Sequence, residues 1–107
     1  MNIKNYKLVG KQPVECDLSE VASLEERTIC RDTFGDVLVS TVFLSFDHSF
    51  GGDVPVLFET MIFEGEHDSY QKRYKTYDDA IEGHKVACDL VNKISIERDK
   101  KLNNLGI

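Results

Sequence analysis

A chain of 107 residues has the size of one domain and can bury roughly two thirds of the surface its unfolded form exposes, so it folds without needing staples. Hydrophobic residues at 41% and charged residues at 30% place it among globular rather than disordered chains. No apolar run approaches the roughly 20 residues of a membrane span, and a net charge of -6 argues against direct binding of nucleic acid, whose phosphates call for clustered Lys and Arg.

The opening stretch, "MNIKNYKLVGK", has no apolar signal core. Cys16, Cys30 and Cys88 are an odd number without framework spacing, which predicts free thiols in a reducing, cytoplasmic compartment. Acidic residues gather in "ECDLSEVASLEE", "EGEHD" and "YDDAIE", three patches able to steer in a Lys/Arg-rich protein surface.

In chain order, residues 1–16 read as an extended arm broken by Gly10 and Pro13. Asp17 or Ser19 caps a short helix over 17–27, with Leu18, Val21, Ala22 and Leu24 inward. Residues 28–76 read as an antiparallel sheet. "RTICRDTF" is one strand, Gly35-Asp36 a turn, "VLVSTVFLSF" a second strand, "VLFETMIFE" its partner across the loop "DHSFGGDVP", and "YQKRYKT" a polar strand near an edge. From 77 to 100 a long helix follows, capped by Thr76, with Ala80, Ile81, His84, Ala87, Cys88, Val91 and Ile94 as its apolar stripe. The predicted fold is α+β, a single domain in which a three- to four-stranded antiparallel meander is packed by the long C-terminal helix, with a short N-terminal helix.

His84 and Cys88 are four apart on that helix, so they share the face turned to the sheet. A histidine in an apolar stripe must be satisfied by a partner. Strand alternation places Leu57, Glu59, Met61 and Phe63 together, the bulkier set, expected against the helix. A carboxylate there needs a cation or a hydrogen-bonding partner, and His48 and His84 are the histidines available. Asp47, His48, Glu59 and His84, with Cys88 in reserve, supply the oxygen, nitrogen and sulfur donors that zinc accepts. A metal-free network in which Glu59 links the two rings has the same sequence signature. His67, in the acidic turn, reads as a surface residue. A Cys88/His84 nucleophile pair points into the core and lacks exposure, and the glycines match no phosphate-binding pattern.

The stretches "VSTVFLSFDHSFGGDVPVLFETMIF" and "YQKRYKTYDDAIEGHKVACDLV" resemble a family of small phage and prophage proteins. Its pattern runs S-T-V-F-L, D-H-x-F, L-F-E-T-M-x-F, R-Y-x-T and A-x-x-G-H. Some proteins of this appearance are anti-CRISPR inhibitors, of the streptococcal phage type, directed at type II RNA-guided DNA nucleases, and one of them contains zinc. The resemblance implies a non-enzymatic inhibitor that acts in the cytoplasm of an infected bacterium. It would bind the host type II CRISPR effector nuclease, and Asp47, His48, Glu59 and His84 would hold a structural zinc. Cys30 and Cys88 lie outside the pattern. The alternative, from the same donors, is a metal-dependent hydrolase acting on a nucleotide signal of host defence, which requires an open coordination position.

Overall fold

The structure is a computed structural model that describes residues 4–47 and 54–104, with side chains as far as residue 92 in the last helix. Strands β1 (Asn5–Val9) and β2 (Gln12–Cys16) pair antiparallel, so the expected arm is a hairpin. Gly10 takes φ 63° at its turn, a left-handed conformation that glycine adopts without steric penalty. The hairpin is tied to the rest of the protein where the Tyr6 N–H donates to the Ser45 carbonyl at 2.8 Å.

The helix expected over 17–27 is two separate turns. A 3-10 turn, Leu18–Glu20, closes as the Asp17 N–H donates to the Glu20 carboxylate at 3.0 Å. Val21 is then extended (φ -67°, ψ 126°), and Ser23 caps α1 (Leu24–Arg27) by accepting from the Glu26 N–H at 3.2 Å. A single turn cannot bury a stripe, and Leu18 and Leu24 stand 74% and 62% exposed rather than inward.

The larger sheet has the predicted meander order, with β3 (Thr28–Phe34), β4 (Val37–Phe43), β5 (Phe58–Phe63) and β6 (Gln71–Tyr74) all antiparallel and β6 at an edge. Helix α2 (Tyr77–Asn104) crosses one face. Thr76 caps it, accepting the Asp79 N–H at 3.1 Å, and Asp78 and Asp79 sit in its first turn, where the positive end of the helix dipole favours them. Ala80, His84, Ala87 and Val91 of the predicted stripe are buried, whereas the Ile94 side chain lies outside the described residues.

The helix covers the opposite face of β5 from the one expected. Val39, Phe43, Phe58 and Ile62 pack with Ala80, Ala87 and Val91 in two adjoining clusters, which leaves Glu59, Met61 and Phe63 on the far side. Both faces of β4 and β5 carry large apolar residues, so alternation alone does not decide which one the helix takes. Close approach between α2 and β6 depends on Gly83, because a Cβ there would sit 2.0 Å from the Tyr74 hydroxyl. Among the described residues no helix is long and apolar enough to cross a membrane.

Candidate functional site

His84 is the polar centre of the helix–sheet interface, at 5% exposure. One ring nitrogen, Nδ1, lies 2.7 Å from Oγ1 of Thr41, which lies 2.5 Å from Oγ1 of Thr60; both threonines are fully buried. The other, Nε2, lies 2.7 Å from Oδ2 of Asp32 on β3. One turn further along α2, the Cys88 thiol approaches the same oxygen at 3.6 Å. An ionised carboxylate can only accept, so Nε2–H donates to Asp32. A neutral ring then accepts at Nδ1 from Thr41, which accepts in turn from Thr60. The network is satisfied from end to end, as buried polar groups require.

Its electrostatics follow from this geometry. The hydrogen bond from His84 holds the Asp32 carboxyl below its ordinary value against an opposing effect of desolvation, with smaller help from the charge of His84 and the hydrogen bond of Cys88. Burial, and then the charge and hydrogen bond of Asp32, push the Cys88 thiol up to about 11. Cys88 is therefore a protonated thiol near neutral pH and a poor nucleophile. Thr41, His84 and Asp32 stand in the order of a hydroxyl–imidazole–carboxylate relay, yet the Thr41 hydroxyl is sealed in the core, where no substrate carbonyl can reach it.

The donor atoms of Asp32, His84 and Cys88 all lie within 4.8 Å of one another, and among the described residues they are the only group of three or more that could hold a metal ion. The surroundings suit one. If an ion replaced the proton at Nε2, the ring proton would move to Nδ1, and the two threonine hydroxyls would reverse to accept it. This is the outer-shell hydrogen bond that metal-bound histidines make.

Of the residues expected to form one centre, Glu59 and Asp47 do not gather around His84. Glu59 is buried at 8% exposure but points away from α2. Its Oε2 accepts from Arg73 Nε at 2.9 Å and from Gln71 Nε2 at 2.7 Å, so a guanidinium and an amide stabilise the carboxylate, not an imidazole. Because β5 alternates, the side chain of Thr60, which reaches toward His84, and that of its neighbour Glu59 lie on opposite faces. Asp47 accepts the Val56 N–H at 2.9 Å, bridging the two ends of the loop, and is not among the clustered donors. His48 lies outside the described residues.

No spacing in the sequence pairs Asp32, Thr41 or Thr60 with His84. The signal was present in "TICRDTF", where Asp32 is two residues from Cys30 and so shares its face, but a charge on a polar-looking strand reads as solvated.

Among the described residues no helix crosses the far face of the sheet, and α1 only walls one side of it. Leu38, Val42, Leu44, Met61 and Phe63 line an open cavity of ≈ 840 Å³ walled by Leu24, Glu25 and Arg27 from the segment around α1. Comparison of the chain with protein-family models, with curated proteins and with solved structures returned no match.

Proposed function

We propose that this protein is a binding protein that inhibits a larger, basic partner by covering it, and that the partner is the type II RNA-guided nuclease implied by the resemblance of its sequence pattern. The observation that carries this reading is the apolar sheet face without a helix over it. Phe63 is 40% exposed there and Leu38, Val42, Leu44 and Met61 are half-buried; apolar side chains gathered at a surface mark protein contact sites, and this face would be the centre of a contact of about 800 Å² per partner. Acidic side chains border the face. Glu25 is in its wall, beside Arg27 and Arg31, and the turn that follows Phe63 carries Glu64, Glu66 and Asp68. With the net charge of -6, they favour a Lys/Arg-rich surface, such as a nuclease offers to nucleic acid, over nucleic acid itself. The place of action would be the cytoplasm of an infected bacterium.

On this reading the His84 side of the sheet is scaffold. The ion suited to a thiolate, an imidazole and a carboxylate is zinc, and zinc there would tie β3 to α2 without touching the docking face. Glu59 is turned away, so the base that a hydrolytic reading would draw from it does not stand beside the ion.

The test is a guide-loaded type II nuclease titrated with the protein while DNA cleavage is followed. Cleavage should fall stoichiometrically with wild-type protein and with Val86→Asp, which alters an exposed position on α2. It should persist with Met61→Asp. No complex at roughly micromolar concentration, or equal inhibition by Met61→Asp, would remove the proposal.

A further inference from the structure

Two pairs of metal donors face each other between β3 and α2. Side chains two apart on a strand share a face, and so do those four apart on a helix. Cys30 and Asp32 form such a pair on β3, and His84 and Cys88 form one on α2. The face of β3 that carries Asp32 is turned to the helix, because its carboxylate lies 2.7 Å from His84 Nε2. Cys30 is on that same face. Its cross-strand partner is Thr41, whose hydroxyl lies 2.7 Å from His84 Nδ1, and directly opposed residues keep their Cβ atoms about 4.5–5.5 Å apart.

We propose that Cys30 is the fourth protein ligand of the zinc centre, completing a tetrahedron of one carboxylate, one imidazole and two thiolates that clips strand β3 to helix α2. The proposal rests on the zinc reading above and deepens it. The Cys30 sulfur stands outside the 4.8 Å group of the other three donors, so ligation requires it to turn inward about its Cα–Cβ bond. Each thiol releases its proton to solvent as it binds. Four protein ligands leave no position for water, which makes the centre structural; three would leave it open for hydrolytic chemistry.

X-ray absorption at the zinc edge of wild-type protein loaded with one equivalent of Zn²⁺ counts the sulfur ligands directly. The expected shell has two sulfurs at about 2.3 Å and two lighter atoms at about 2.0–2.2 Å. Cys30→Ser should weaken zinc binding by more than the roughly 10- to 100-fold that outer-shell partners cost. Loaded with Co²⁺, it should lose one thiolate's share of the near-ultraviolet charge-transfer absorption. Cys16→Ser should change neither property. A single sulfur per zinc in the wild type, or unaltered zinc affinity in Cys30→Ser, overturns the fourth ligand and leaves the three-donor centre in place. Failure of the wild type to retain zinc overturns both.

Discussion

Replacing Gly83 with alanine sets two opposed effects against each other. In a helix interior alanine is favoured over glycine by about 1 kcal/mol. Here the new methyl would lie 2.0 Å from the Tyr74 hydroxyl oxygen and 2.1 and 2.3 Å from two ring carbons, where ordinary contact begins near 3.4 Å. The ring cannot simply swing aside. It is 8% exposed and packed with Phe43, Leu57, Phe58 and Ala80. Overpacking of this kind costs about 1–3 kcal/mol, and partial expulsion of an aromatic ring adds about 1–2 kcal/mol of lost burial. The steric effect wins, and Gly83→Ala should destabilise by about 1–4 kcal/mol. Since 1 kcal/mol moves the midpoint by about 4–8 °C in a domain of this size, thermal unfolding followed by circular dichroism should show a fall of roughly 4–30 °C. In a Tyr74→Leu background the obstructing atoms are gone, and the same change should become stabilising by up to about 1 kcal/mol. A neutral or stabilising Gly83→Ala in the wild type, or no reversal of sign in the Tyr74→Leu background, would refute the proposed close approach of α2 to β6.

Glu59→Gln should cost about 1–2 kcal/mol by weakening the bonds from Arg73 and Gln71, and it should leave zinc content unchanged; loss of the metal would restore Glu59 as a ligand. The Asp32 carboxyl, held below its ordinary value of 3.8 by the hydrogen bond from His84, stabilises the metal-free fold fully above that value. This contribution is lost as pH falls through the lower, folded-state value. Thermal midpoints measured from about pH 6 to pH 2 should therefore fall less steeply in Asp32→Asn than in the wild type, and parallel curves would contradict the assignment. Thr76→Ala removes the cap bonded to Asp79 and should cost about 1 kcal/mol in urea unfolding; no change would mean that the first turn is held by packing alone.

The meander and the long helix were legible in the sequence because their signals are strong and agree with one another. β4 is β-branched and aromatic, Gly35 breaks the chain between β3 and β4, and the stripe from Ala80 to Val91 follows helical spacing. A short helix was legible too, but its extent was not, because the apolar residues from Leu18 to Leu24 imitate a stripe, whereas Ser23 restarts the turn and Val21 stays extended. His84 is legible because a histidine on a core-facing stripe needs a partner. Which partner is not, because apolar residues on both faces of β5 conceal the choice of face, so that Glu59 looks available, and Asp32 sits on a strand whose charges look solvated. Several positions of the sequence pattern that carries the resemblance are contact pairs that build the fold. Thr41 and Thr60 serve His84, Glu59 meets Arg73, and Gly83 makes room for Tyr74. Asp32 and Cys88, which complete the metal-competent cluster, lie outside that pattern.

The central claim is that the two faces of the sheet have different tasks, the helix-covered one as scaffold and the open one as docking surface. Methyl NMR of the protein with and without the nuclease tests it most directly. Resonances of Leu38, Leu44 and Met61 should shift or broaden on binding, while those of Val39, Ile62, Ala87 and Val91 stay in place. Perturbation confined to the second set, or none at all with nuclease in excess, would contradict the claim.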